Sequence, residues 1–182
     1  MDHKQDDDGS DFSDDDAMLH ERLLKKAWRS FHRGDDLLFM GGKVDIDLAT
    51  LHPDTSHILK YWQVYLENVN PLLKVTHTPT MQTSIIDAAT NLAGATNEMH
   101  ALMFAIYSIS LLSLDEQDCW STFGASRDDL LSRYQFACQQ ALQHADFMRT
   151  DDRQCLTALY LYCVSVLTQC CLFGTILDPK YS

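Results

Sequence analysis

Eight histidines and six cysteines are donors enough for a metal centre or a nucleophile, and their spacing decides against both. His52, His57, His77, His100 and His144 fall in different elements, and no two of them stand at i, i+4 on one helix face. The nearest pair, His52 and His57, is split by Pro53. A zinc site needs three or four converging ligands, so satisfied polar contacts or surface positions are the expectation for these imidazoles. Cys138 and His144 lie six residues apart on one helical stretch, nearly on opposite sides, which does not make a thiolate–imidazole pair. The paired carboxylates Asp128 with Asp129 and Asp151 with Asp152 stand where helix N-termini favour negative charge. No catalytic residue, no metal ligand and no cofactor site is expected in this chain.

The cysteines, Cys119, Cys138, Cys155, Cys163, Cys170 and Cys171, sit inside apolar helical patterns with no C-x-x-C pair among them. They read as reduced core thiols, which points to a reducing compartment, cytosol or nucleus. Aromatic residues offer the remaining chemistry: Trp62, Tyr65, Phe104, Tyr160 and Tyr162 could line an apolar effector pocket between helices. A filled core is the simpler account of the same five side chains. The acidic front of the chain, with Phe12 among aspartates, has the composition of an activation segment, against a plain solubilising tail as the simpler account.

Charge bears on partners. Over residues 1–16 eight aspartates face one lysine, and they supply most of a formal net charge of −12. Neither this segment nor the remainder is basic, so the electrostatic attraction that carries nonspecific binding to a phosphate backbone is missing. Direct nucleic-acid binding is therefore not expected. The N-terminus lacks the basic-then-apolar order of a signal peptide. Residues 154–177 contain no charged side chain and are long enough to cross a bilayer. Gln154, Thr157, Ser165, Thr168, Gln169 and Thr175 scatter polar groups along that stretch, and a membrane span is the weaker reading of it.

These residues must be positioned by helices. Residues 1–16 are too polar to bury a core and read as a disordered acidic tail. Residues 17–50 read as an amphipathic helix over 17–31, ending near Gly34, followed by a loop around Gly41 and Gly42. His52, Pro53 and Asp54 open the next helix, capped by Asp54 or Thr55, with Ile58, Trp62, Tyr65 and Val69 on one face and Pro71 as its stop. Thr78 and Pro79 mark a second start, as cap and first helical residue, for a helix that breaks at Gly94. Residues 98–114 are apolar all round, as in a helix enclosed by others. Ser113 and Glu116 are spaced as a capping box, Ser126 caps a long helix carrying Leu130, Tyr134, Ala137, Ala141 and Ala145, and Thr150 opens a last helix over 151–173. No alternating strand pattern and no phosphate-cradling glycine motif occurs. The expected fold is all-α, an antiparallel helical bundle or helix-pair stack.

The order of these pieces is itself informative. Leu51, His52 and Pro53, then residues 62–80, residues 101–107, Ser126 and Arg127 with Leu130, Leu131, Arg133 and Tyr134, and Met148, Arg149 and Thr150 with Leu156, Leu159 and Tyr160, together resemble the fungal-specific transcription factor domain. That is the regulatory middle region of fungal binuclear zinc cluster activators. The resemblance implies that residues 51–182 are the N-terminal part of such a domain, acting in the nucleus (with the cytoplasm open to a fragment) through protein partners, self-association or a small-molecule effector. The six-cysteine cluster of the family is missing, so zinc and base contacts are implied only for the absent DNA-binding module of full-length relatives. The family region also runs on past the last helix. On that reading the bundle is incomplete at its C-terminal end, and the uncharged 154–177 helix keeps a bare apolar face for a partner or a second copy.

Overall fold

A computed structural model describes the backbone of residues 43–176 and the side chains of residues 43–171. The acidic tail, the 17–31 helix and the glycine loop expected from the sequence lie outside the described residues. Within them the chain is all-α, and no strand occurs among the described residues.

Residues 43–47 lead into a 3₁₀ turn, Leu48–Leu51, capped by Asp47, whose carboxylate accepts the Ala49 N–H at 2.9 Å. Helix α1 (Thr55–Val64) starts at Asp54, whose carboxylate accepts the His57 N–H at 3.0 Å. Pro71 does not stop it. The chain passes through a wide turn of π type, Tyr65–Val69, in which the Asn70 N–H reaches the Tyr65 carbonyl, and continues as α2 (Asn70–Leu73). Proline has no N–H to give to the carbonyl four residues back, and the extra residue in the wide turn moves that carbonyl row aside. Pro71 thus falls in the first turn of α2, where a missing N–H is harmless, and Asn70 keeps helical angles (φ −58°, ψ −36°). The helix ends three residues later, at Lys74, which takes the left-handed conformation (φ 49°) and donates its N–H to the Asn70 carbonyl.

Helix α3 (Thr78–Thr90) has Pro79 in its first turn, but its cap position is His77, not Thr78. It ends before Gly94, at Asn91, and the 3₁₀ turn Leu92–Gly94 follows. A Cβ at Gly94 would lie 2.5 Å from the Asn91 amide nitrogen, so only glycine lets that side chain fold back over the turn.

Helix α4 (Asn97–Leu112), capped by Thr96, is buried continuously from Met99 to Leu111. Its serines bond inward: Ser108 donates to the Phe104 carbonyl, and Ser110 to the carbonyls of Ile106 and Tyr61. Helix α5 (Glu116–Phe123) is capped by Asp115, which accepts the Asp118 N–H at 2.7 Å; Ser113, the expected cap, instead donates to the Ser110 carbonyl. Gly124 ends it in the left-handed conformation. Ser126 caps α6 (Arg127–His144) as expected, accepting the Asp129 N–H. The last helix, α7 (Arg153–Ile176), takes Asp152 as its cap, whose carboxylate accepts the Cys155 N–H at 2.9 Å.

α4 is the axis of the packing, laid against α6 and α7 on one side and α1 on the other. Cross-links set the directions. Asn97 at the start of α4 donates to the His144 carbonyl at the end of α6, and Arg127 at the start of α6 donates to the Leu114 carbonyl just past α4, so the two run antiparallel. Gln135 of α6 donates to Ser165 of α7 at 3.4 Å. Because every side of α4 faces another element, its apolar-all-round sequence is satisfied; each large side chain it buries contributes about 2–3 kcal/mol of transfer free energy.

Candidate functional site

The polar centre of the core is built from residues far apart in sequence. The 3₁₀ turn ends at His52, which is buried, and projects its ring against α4. His52 Nε2 lies 2.8 Å from His100 Nδ1, and His52 Nδ1 lies 3.0 Å from the Tyr107 hydroxyl. The Phe104 ring stacks on the imidazole at 4.0 Å. Burial, and then the nearby His100, push the His52 pKa down to about 3, so the ring is neutral at physiological pH. His100 is lowered too, by burial, with Asp47 opposing. A neutral imidazole has one N–H and one acceptor nitrogen. Held between two partners, His52 therefore donates to one and accepts from the other, and neither ring nitrogen is left unsatisfied.

An aromatic layer continues from this pair. Tyr107 meets Tyr61 at 4.8 Å and Tyr134 at 5.2 Å, and Tyr61 stacks on Phe123 at 4.1 Å. Burial raises the hydroxyl pKa values of Tyr61, Tyr107 and Tyr134. These hydroxyls are therefore un-ionised at neutral pH. It ties four elements together by ring packing.

The five aromatic residues expected for an effector pocket are divided. Trp62 and Tyr65 are stacked at 5.4 Å and both are buried; the Tyr65 hydroxyl meets Thr76 at 3.1 Å, while the Trp62 indole N–H has no hydrogen-bond partner. Phe104 belongs to the His52 stack, and Tyr162 lies on the inner face of α7 with no solvent exposure. Tyr160 is 46% exposed on the other face of α7. The structure brings Trp62 and Tyr65 together and keeps Tyr160 apart from the buried four. A groove of about 400 Å³ lies elsewhere, along α3, the Leu92–Gly94 turn and the first turns of α4 and α7, lined by Ser84, Asp87, Asn91, Thr96, Met99 and Gln154 among others. Sequence reasoning missed this groove, and it missed the His52–His100 pair. The only signal for the pair was context: His100 stands between Met99 and Ala101 in an apolar run, and His52 follows Leu51.

The thiols form no disulfide; Cys119, Cys138 and Cys155 are buried, Cys163 is half-buried, and Cys170 and Cys171 are exposed. Cys138 donates to the Ala101 carbonyl at 3.4 Å. No group of three or more His, Cys, Asp or Glu side chains among the described residues could hold a metal ion.

Among the described residues, the outer face of α7 carries an exposed apolar stripe. Cys155, Ala158, Leu161, Tyr162, Ser165 and Val166 are buried, whereas Leu156, Tyr160 and Leu167 are 49%, 46% and 65% exposed. The helix is long and apolar enough to cross a membrane, although its inner residues are packed against α4 and α6.

By sequence, the chain is similar to fungal regulators of transcription. The chain is 47% identical over 176 residues to the transcriptional regulator AacuB of Aspergillus aculeatus, covering 90% of this chain and 24% of that protein. It is 37% identical to the aurofusarin cluster transcription factor aurR2 of Gibberella zeae, over 68% of this chain and 18% of that one. It is 26% identical to the C6 finger domain transcription factor nscR of Arthroderma gypseum, over 86% of this chain and 22% of that one. The homologues are thus fungal transcription factors, some of them of the C6 finger type, and the chain spans about a quarter or less of their length. No family model matches the chain, and no solved structure matches it.

Proposed function

We propose that this chain is a regulatory, protein-contacting part of a fungal transcription factor, which modulates transcription in the nucleus without catalysis and without touching DNA itself. The observation that carries this reading is the homology to transcriptional regulators over 90% of the chain, with a formal net charge of −12 that repels a phosphate backbone. The exposed apolar stripe of α7 supports a protein contact as the working surface, because apolar side chains grouped contiguously, unlike single exposed ones, mark an interaction site.

The test is a reporter assay. The full chain is fused to a DNA-binding module of unrelated origin and compared with that module alone, in a fungal host. A change in reporter output supports the reading; no change, with the fusion shown to be nuclear and intact, sinks it. Fluorescence anisotropy with duplex DNA should show no binding by the chain itself.

The polar groove beside Asp87 favours a second reading, a helical module that senses a small molecule. Reproducible thermal stabilisation by one metabolite in a screen would support it. A third reading takes α7 as a membrane span on its length and composition, and resistance of the chain to carbonate extraction is the result that would favour it.

A further inference from the structure

We infer that the groove between the end of α3 and the starts of α4 and α7 binds a small molecule that carries a primary ammonium on an apolar body. This deepens the small-molecule reading above and rests on it.

Charge selects the ligand. Asp87 stands in the last turn of α3, where the helix dipole is negative and a carboxylate is unfavourable. No basic residue shares that turn, and no lysine, arginine or histidine lines the groove. Asp87 is exposed, and its carboxylate has neither an ion pair nor a hydrogen bond among the described residues. Behind the groove the field has the same sign: burial first, and then the charges of Glu98 and Asp152, raises the pKa of Cys155. A carboxylate held at the wrong end of a helix without a partner leaves a negative potential that a bound cation neutralises.

The other polar groups choose among cations. An ammonium has three N–H donors and no acceptor. The groove meets it with the Asp87 carboxylate and the side-chain carbonyls of Asn91 and Gln154, two amides with no hydrogen-bond partner among the described residues. A quaternary ammonium would need aromatic faces, and none lines the groove. A metal ion would need more ligands, and no group of three His, Cys, Asp or Glu side chains among the described residues could hold one.

The floor sets the body. Ala88 and Met99 are buried, Ala95 is half-buried, and all three line the groove. Its volume of about 400 Å³ lies at the lower end of ligand clefts, which suits a small body such as a single ring. One exposed ion pair with a small apolar contact gives weak binding, with dissociation on the order of 1 mM.

Benzylamine is the probe, with benzyl alcohol and benzoate as its neutral and anionic counterparts, and amide NMR spectra of the whole chain are titrated with each. Benzylamine should shift the amides of Asp87, Asn91, Ala95 and Gln154, less so as salt rises, and its counterparts should not. Asp87→Asn should weaken benzylamine about fivefold. The same variant should raise the melting temperature of the free chain, because it removes a charge that the dipole opposes. Asp118→Asn, an equal change at an exposed site on α5, should leave binding unaltered. Equal shifts with benzyl alcohol or benzoate, full binding by Asp87→Asn, or a free Asp87→Asn chain that melts lower overturns the inference. A metabolite that stabilises the chain but shifts amides elsewhere sinks it too, and leaves the small-molecule reading standing. Benzylamine seated as described, with no metabolite acting in the screen, counts against that reading alone.

Discussion

The imidazoles of His52 and His100, 48 residues apart, face each other nitrogen to nitrogen at 2.8 Å in the core. This contact joins the segment before α1 to the central helix, and a second anchor helps it: Val44 donates its N–H to Gln140 and its carbonyl meets His144. Both rings of the pair cannot carry charge at that distance without strong repulsion. The segment is therefore held to the bundle by neutral histidine chemistry.

Stability should fall with acid because of this pair. The folded pKa of His52, about 3, lies below its unfolded value of 6.5, so the unfolded chain binds the proton more readily. Stabilisation by the neutral ring is complete above about pH 6.5 and is lost as pH falls through the window from 6.5 toward 3. Between about pH 7 and about pH 5, His52 alone should cost roughly 2 kcal/mol, and the lowered pKa of His100 acts in the same direction. Urea midpoints at the two pH values measure it. His52→Gln should be less stable at neutral pH and should lose most of the pH slope; an unchanged slope would show that His52 titrates as an exposed imidazole.

Phe104 and Tyr160 separate a packed core from an open pocket. Phe104 is fully buried beneath His52 and Tyr134, so Phe104→Ala should cost about 3–5 kcal/mol. Tyr160 is half-exposed, and Tyr160→Ala should stay within about 0.5 kcal/mol of wild type. Thermal melts of both variants give the comparison. A mild effect at Phe104 would mean that the aromatic centre has room for a ligand.

How far these features could be read from residues alone depends on how local their causes are. Asp54 and Ser126 announce their helices because a cap needs only a side chain and an N–H three residues on. Asp115 takes the cap in place of Ser113, whose hydroxyl donates to the Ser110 carbonyl. Pro71 misled for a different reason. The rule that proline ends a helix presumes bonds to the fourth residue back, and a turn that reaches the fifth, from Asn70 to Tyr65, leaves no mark in composition. The His52–His100 contact required the fold itself. The uncharged pattern of α7 showed that the helix is apolar, while only packing against α4 could say that Leu161 turns inward and Leu167 outward.

Lys74 offers a gain in stability. It closes α2 with φ 49°, a conformation that costs a residue with a Cβ about 1 kcal/mol and glycine little. Lys74→Gly should raise the unfolding free energy by about 0.5–1 kcal/mol, since removal of the strain exceeds the added freedom of the unfolded chain. A urea titration resolves that change. Loss of stability would mean that the lysine stem contributes packing beyond its backbone angle.

The thiols should sort by burial when challenged with an alkylating reagent. A thiolate is the reactive species, and burial raises the pKa that governs its formation. Burial, with Glu116 adding to it, pushes Cys119 up to about 11, and burial sets Cys138 well above the usual thiol range and raises Cys155 and Cys163. Cys170 is exposed at the end of the outer stripe of α7. At about pH 8, iodoacetamide should modify Cys170 first, Cys163 more slowly, and Cys119, Cys138 and Cys155 only after unfolding. Peptide mass spectrometry over a time course reads the order. Early labelling of Cys138 would mean that α6 separates from α4 under native conditions, and the packing described for the central helix would then be wrong.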